Sequence, residues 1–507
     1  MTYSKGLLVA RAAALILAGS AQTLAFSPWS FWPAALVSFL VLVPLCLGRL
    51  PGALFRDGWL IGFGLFGAGA SWVYVSISEY SMTPAPIAVV LTLLFVGGLA
   101  LFHAIGFWCW GKLSGGIAAR QLWLFPPIWL LTDWVRGWLF TGFPWLYAGL
   151  AQVDGPLGGW LPVLGVHGAT FLTVATAVLL IAATDQARRQ RQVPALAAVG
   201  IALLPWIGGP LLNQMAWTEP KGDALEVAAI QGNISQHDKW DPDKARDQIF
   251  LYRKLTSPHW GKDLILWPET AIPATQGQAA QILDELESRA LKTDTALVTG
   301  IPWYGKTPQY PEPVYHNSLI TRGEARGTYH KQKLVPFGEY VPFQSLLRGT
   351  IEFFNLPMSV FRPGPERQNP LRLSGVSVHP FICYEITYPD FVAHNARDTG
   401  FLLTVSNDAW FGRSIGPFQH QQIARTRALE TGRPLLRGTN NGITAIVNSK
   451  GNVVDRAQQY ERDTLTGSLQ PMNGHTPFMM TGSWPVLTLA AVMIVLGRRR
   501  RASDQKA

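Results

Sequence analysis

Val376-Ser377-Val378-His379-Pro380-Phe381-Ile382-Cys383-Tyr384-Glu385 is the stretch whose reading decides the fold of the second half of this chain. Seven residues read as an apolar strand, and the strand runs straight into a cysteine and a carboxylate. A thiol at a strand end can project into a cleft. Two more strands end in the same manner. The strand 263–267 stops at Pro268-Glu269, and 401–405 stops at Ser406-Asn407-Asp408. Working outward, 225–230 reads as a strand ending at Gln231-Gly232-Asn233, and 296–301 and 314–321 as strands. Helices are expected over 279–292 and 419–431, and a closing hairpin over 442–447 and 453–455. The mixture is α/β, with no internal repeat and no low-complexity linker.

The half that precedes it is different. The chain of 507 residues is 48% hydrophobic and only 15% charged, against about 25% charged in soluble domains. Most of its long uncharged runs lie in residues 1–214. A membrane span needs about 20 mostly apolar residues. Seven spans are expected there, at 7–26, 31–47, 58–75, 87–110, 122–139, 160–184 and 194–212, and an eighth at 484–497. The first reads as a span rather than a cleaved signal, because no small-residue cleavage site stands out. The division expected is a membrane domain at 1–214, an external domain at 215–482, and a final span with a basic tail at 483–507.

The net charge of +10 could suggest a nucleic-acid partner, but its distribution argues against one. Residues 215–482 hold 27 Lys and Arg against 26 Asp and Glu. Of the 15 basic residues elsewhere, 14 fall on one side of the expected spans, Arg136 being the exception. By the positive-inside rule both termini are then cytoplasmic and 215–482 lies outside. Arg136 stands three residues after Asp133, so the two can share a helix face. They read either as an ion pair locking helices together or as a contact for a lipid phosphate. The crowd of Leu346, Leu347, Ile351, Phe353, Phe354, Leu356, Met358 and Phe361 reads either as core or as a membrane-touching lid.

Cys46 and Cys109 lie in expected spans, where a thiol behaves as a small hydrophobe. Cys383 is alone in the external domain, so it is either an inert buried residue or a reactive thiol. Glu269 by itself would pass for a turn residue, and Lys331, in Tyr329-His330-Lys331-Gln332-Lys333-Leu334-Val335-Pro336-Phe337-Gly338-Glu339, for a solvated one. The ten histidines show no ligand spacing, and no phosphate loop appears; neither metal nor cofactor is expected.

Together, Trp267-Pro268-Glu269-Thr270, Lys331 with Leu334-Val335-Pro336-Phe337-Gly338-Glu339, Cys383-Tyr384-Glu385 and Ser406-Asn407-Asp408 with Trp410-Phe411 resemble the nitrilase superfamily. With Phe143-Pro144-Trp145-Leu146 and Trp72-Val73-Tyr74-Val75-Ser76 added, the chain is similar end to end to the apolipoprotein N-acyltransferase family. The resemblance implies an αββα sandwich and a catalytic triad of Glu269, Lys331 and Cys383. It implies supporting roles for Glu339, Tyr384 and Glu385, with Glu339 and Glu385 holding Lys331 and the substrate amine. Trp240 matches a position linked to substrate entry. The implied partners are a phospholipid acyl donor, a diacylated apolipoprotein acceptor and the bilayer of a bacterial inner membrane, with the enzyme a monomer and its catalytic domain periplasmic. Two rivals remain: a membrane-tethered amidase, which shares the triad but leaves seven spans unexplained, and a transporter with a dead external domain.

Overall fold

Apolar residues alternate along the strands of the second half, and each alternate face finds its own layer. In β2 (Leu225–Gln231), Val227 and Ala229 face one way and Ala228 and Ile230 the other. The same division holds for β3 (Leu264–Leu266), β9 (Val376–Ile382) and β10 (Phe401–Ser406). The computed structural model describes residues 5–80, 83–340 and 360–504. These fall into two compact units, one within Met1–Tyr74, Pro86–Ala216 and Thr481–Ala507, the other within Val75–Ala85 and Trp217–Met480.

The second unit is built on two sheets. With β4 (Ala296–Thr307), β5 (Tyr310–Gly323), β7 (Thr328–His330) and β14 (Asp463–Leu469), the first sheet has the order β14-β2-β3-β4-β5-β7. With β6 (Ala325–Arg326), β8 (Leu371–Leu373), β11 (Leu435–Thr439), β12 (Ala445–Val447) and β13 (Val453–Arg456), the second has the order β13-β12-β11-β10-β9-β8-β6. In each sheet three central strands are parallel, β2-β3-β4 and β9-β10-β11, so their carboxyl ends lie together. The sheets bury Val227, Leu264, Leu266, Val298, Ile382, Leu403, Val405 and Leu436 between them. Helices Ala245–Thr256 and Ala280–Lys292 cover the outer face of the first sheet through Ile249, Tyr252, Leu283 and Leu286. Helices Pro389–Asn395 and Gly416–Thr431 cover the second through Val392, Ala424 and Ala428. Helix, sheet, sheet, helix is the expected αββα sandwich.

Several elements differ from the sequence reading. The strands at 296–301 and 314–321 are the inner halves of one long hairpin, β4–β5, whose register runs out to Thr307 and Tyr310. The hairpin β12–β13 does not close the domain, because β14 follows and crosses to pair with β2 in the other sheet. Helix Ala245–Thr256 and strand β11 were not anticipated.

The first unit is helical: α1 (Lys5–Ala21), α2 (Pro33–Cys46), α3 (Pro51–Gly69), α4 (Val73–Tyr80, which runs on into the second unit), α5 (Ala85–Ser114), α6 (Ala118–Arg136), α7 (Leu161–Arg188), α8 (Gln192–Leu212) and the terminal helix Trp484–Asp504. Among the described residues four helices are long and apolar enough to cross a membrane: Gly6–Ala25, Ala85–Ser114, Pro156–Arg188 and Gln192–Leu212. The expected span 58–75 begins earlier and breaks, α3 and α4 being bent by 56°; counting that pair as one span gives five. The expected spans 31–47 and 484–497 form shorter apolar helices, Pro33–Cys46 and Trp484–Arg498. The span 122–139 falls on α6, which carries Arg120, Asp133 and Arg136 as well as Pro126 and Pro127. Helices α1 and α3 approach closely: a Cβ on Gly64 would sit 2.1 Å from the Ile16 carbonyl, as small residues at a helix crossing permit.

Arg136 is fully buried. It pairs with Asp133 at 2.7 Å and donates to the carbonyls of Phe143 and Trp145. It is an internal clasp, which favours the ion-pair reading over the lipid contact. Asp57 likewise gathers Arg11 at 2.7 Å and Arg49 at 2.8 Å. The apolar stretch 346–361 lies outside the described residues except at its end, where Phe361 is buried and bridges to Tyr315.

Candidate active site

The turns after β3, β7 and β9 bring Glu269, Lys331 and Cys383 into one cluster. Glu269 follows β3 in a tight turn, and Thr270 after it takes φ 51°, a conformation a β-branched residue rarely adopts. Gly300 in β4 makes room for that turn: a Cβ there would lie 2.3 Å from the Thr270 nitrogen. The carboxylate is nearly buried and held on both oxygens. Asn317 Nδ2 donates to Oε1 at 2.7 Å and the Asn407 main-chain N–H to Oε2 at 2.8 Å. Its own carbonyl accepts from Lys239 Nζ at 2.9 Å.

Lys331 follows β7 and is 1% exposed, so its charge must be met inside the protein. Glu339 Oε2 lies 2.8 Å from Nζ and Glu269 Oε1 3.6 Å. Burial works to lower the lysine's pKa, but Glu339, Glu269 and the Cys383 sulfur outweigh it and hold the ammonium charged above its ordinary range. Glu339 is itself fixed by Asn317 Nδ2 and the Val335 N–H, both at 2.8 Å. Asn317 thus spans the two carboxylates that flank the lysine.

Cys383 sits where β9 gives way to a short 3-10 turn, Cys383–Thr387, and takes φ 54°. It keeps part of its surface exposed. Burial of the thiol and the nearby Glu269 carboxylate push its pKa well up, Lys331 pulls it down, Asp408 adds to the rise, and a hydrogen bond with Ser406 lowers it. At rest the proton therefore stays on sulfur.

The remaining expected residues divide. Glu339 pairs with Lys331. Glu385 is fully buried. Its carboxylate accepts from Tyr329 Oη at 2.9 Å and from the N–H groups of Gln332 (2.6 Å), Lys333 (3.1 Å) and Ile382 (2.7 Å). It ties the segment after Lys331 to the strand end before Cys383. Burial pushes its pKa up to about 7 against the pull of those donors and Lys331. Tyr384 is 8% exposed and packs edge-on against Tyr388. Trp240 ends the short helix Gln236–Lys239, next to Lys239.

Four residues here escaped the sequence reading: Asn317, Lys239, His420 and Arg437. Burial lowers the pKa of Lys239 to about 8, while Glu269 and Cys383 pull the other way. Asp408, after β10, accepts from Arg437 at 2.8 Å and lies 3.0 Å from His420 Nδ1. Residues 75–80 reach the same corner. Ser76 Oγ donates to the Trp410 carbonyl at 2.7 Å, and the Tyr80 ring lies 5.6 Å from Trp410 and 5.7 Å from His237.

Comparison with known proteins places this arrangement. Residues 18–179 match the apolipoprotein N-acyltransferase N-terminal domain, and residues 226–474 the carbon-nitrogen hydrolase family. The chain is 44% identical to the apolipoprotein N-acyltransferase of Pseudomonas aeruginosa PAO1, over 97% of this chain and 96% of that one. It is 38% identical to that of Coxiella burnetii, over 95% and 98%. Among solved structures, it is similar to a Saccharomyces cerevisiae member of branch 10 of the nitrilase superfamily. That match has TM-score 0.37 and 16% identity, over 51% of this chain and 93% of that one. With identity of this extent along nearly its whole length, and with each half matched by its own domain family, the chain belongs to the apolipoprotein N-acyltransferase family, whose members act in lipoprotein maturation and carry a carbon-nitrogen hydrolase domain.

Proposed function

We propose that this protein moves a fatty acyl chain from a membrane phospholipid, through a thioester on Cys383, to the α-amine of the diacylglyceryl-cysteine of apolipoproteins. The observation that carries the reading is the buried cluster of Glu269, Lys331 and Cys383 at the strand ends of a nitrilase-like sandwich, in a chain whose other half is apolar helix.

A neutral thiol is a poor nucleophile and needs a base within reach. Glu269 takes the proton as sulfur attacks the ester carbonyl. The oxyanion that forms is met by the fixed charge of Lys331 and a backbone N–H at the Cys383-Tyr384 turn. Collapse expels the lysophospholipid alcohol, which receives the proton back from Glu269. The acceptor amine then attacks the thioester and gives a proton to Glu269, which passes it to the departing sulfur, so the amide leaves and the thiol is restored. Ester to thioester to amide needs no ATP and no metal. Glu339 holds Lys331, and Trp240 lines the approach of substrate.

In this reading the protein is a monomer of the bacterial inner membrane with eight spans, 1–214 and 483–507 forming the membrane part and 215–482 the periplasmic catalytic domain. A membrane-tethered amidase would share the cluster, and one experiment separates the two. Purified protein is incubated with phospholipid vesicles and its intact mass measured. The expected result is a mass gain of one fatty acyl group, labile to hydroxylamine, absent in Cys383→Ala, and discharged by a diacylated lipopeptide. No adduct on the wild type, or an adduct that persists in Cys383→Ala, overturns the proposal.

A further inference from the structure

Cys383 holds a left-handed main-chain conformation that a residue with a side chain rarely adopts, so something must hold it there. The Cys383 carbonyl lies 3.2 Å from Nε2 of His420, on helix Gly416–Thr431. His420 is fully buried, and its other nitrogen, Nδ1, lies 3.0 Å from Arg437 Nη2 and 3.0 Å from Asp408 Oδ1. Arg437 stands in β11 and is anchored by Asp408 at 2.8 Å and by the Ile443 carbonyl. Asp408 in turn accepts from Ser406 Oγ, and Ser406 also hydrogen-bonds the Cys383 side chain.

The ring's tautomer follows from its neighbours. Burial and Arg437 lower the His420 pKa, against the pull of Asp408, so the imidazole is neutral at working pH. The Cys383 carbonyl can only accept, so the one ring proton sits on Nε2 and Nδ1 accepts from Arg437; Asp408, which can also only accept, is met by Arg437 and the Ser406 hydroxyl. Asp408 stays ionised: burial would raise its pKa, but Arg437 and the Ser406 hydroxyl hold it well below the usual carboxylate range. Three adjacent parallel strands and one helix thus converge on the main chain of one residue.

We propose that His420 is a positioning residue for the nucleophile: its Nε2–H, oriented by Arg437 and Asp408, holds the Cys383 carbonyl and thereby keeps the sulfur aimed at Glu269 and Lys331. The inference rests on Cys383 being the nucleophile named above. Its role differs from theirs, since it acts on the main chain of Cys383. Without the bond, the turn relaxes toward ordinary backbone and the sulfur swings away from the Lys331 charge. The thiol then leaves both the Glu269 charge, which opposes its ionisation, and the Lys331 charge, which favours it, so its readiness to ionise changes.

The test uses the full-length protein in membranes, with wild type, His420→Gln and His420→Ala. Glutamine keeps an N–H at nearly the same reach; alanine removes it. Alkylation of Cys383 by iodoacetamide is measured against pH without any lipid, and acyl-enzyme formation from phospholipid vesicles is measured alongside. For His420→Ala the expected result is an alkylation profile displaced along the pH axis from that of the wild type and an acylation rate down about 10²-fold at unchanged KM, the size of effect a small misplacement can have. His420→Gln should recover at least about tenfold of that loss. If His420→Ala does not accumulate, His420→Met replaces it, filling the space without an N–H. An unshifted alkylation profile with only the amount of folded protein reduced would make His420 merely structural. So would equal loss in the glutamine variant and the variant lacking the N–H. Because alkylation needs no acyl substrate, a wild type that alkylates normally but never acylates would indict the proposed reaction and not the positioning role.

Discussion

At the scale of the residue, the site is a lysine between two carboxylates facing a thiol that burial keeps protonated. This sets the expected behaviour of single substitutions. Lys331→Met keeps the length and removes the charge, so acyl-enzyme formation should fall about 10²–10³-fold, the loss seen for one oxyanion donor. The Cys383 pKa is raised above the ordinary 9.0, so the neutral thiol dominates at pH 7 and ionisation grows as pH rises. Alkylation of the wild type should therefore still be climbing at that ordinary value, and the Lys331→Met profile should lie higher still. Raising the pH should restore acylation in the variant only in part, because hydroxide supplies thiolate but not the charge on the oxyanion. Glu269→Gln should cost about 10²–10⁴-fold at every pH; its amide must also turn an N–H toward either Asn317 or the Asn407 N–H, which now donate to the carboxylate. A Lys331→Met variant that acylates at the wild-type rate at neutral pH would remove the electrostatic role. Cys383 stands out in the sequence as the lone thiol of its domain at the end of an apolar strand, whereas Glu269 by itself passes for a turn residue and is singled out only with its motif. Lys331 was legible only through the motif around it. Asn317 and Arg437 sit inside strands and His420 inside a helix, where a single polar residue looks like an exposed face; only burial distinguishes them.

The elements tell a similar story. Strands buried on both faces, such as β3 and β10, appear in the sequence as short unbroken apolar runs and were readable. β14 reads Asp463-Thr464-Leu465-Thr466-Gly467-Ser468-Leu469 and β11 carries Arg437-Gly438, so neither advertises itself. The outer half of the β4–β5 hairpin is masked by Pro308, Pro311 and Pro313 around its turn. What holds the sandwich is the layer between its sheets. Leu266 is fully buried in that layer, and Leu266→Ala should destabilise the second unit by about 2–5 kcal/mol, as large-to-small core changes do. Val454, on the edge strand β13 and 62% exposed, should tolerate Val454→Ala within about 0.5 kcal/mol. Thermal unfolding of the detergent-solubilised protein, followed by limited proteolysis, compares the two. Equal shifts would mean that the inter-sheet layer is not the main support.

For the molecule as a whole, the orientation proposed from basic residues is the statement most open to test. In a background of Cys46→Ala, Cys109→Ala and Cys383→Ala, single cysteines are placed at Trp29, Phe140 and Gln190, all exposed side chains. An impermeant maleimide should label the first two in intact spheroplasts and the third only after lysis. The reverse pattern would put the catalytic cluster in the cytoplasm. The two-part division of the chain was readable from its uneven distribution of charge. That 75–80 pack with the second unit was not, because Val73, Val75 and Ile77 look like any apolar span. This interleaving bears on how the protein is made. Ser76 leaves the ribosome 334 residues ahead of the Trp410 carbonyl it finally binds, so that contact must wait for most of the second unit to be translated. A gene trimmed to begin at Trp217 would encode both sheets and the triad, yet its product would be born without Ser76 and Tyr80, and with Trp410 stripped of the helix it rests on.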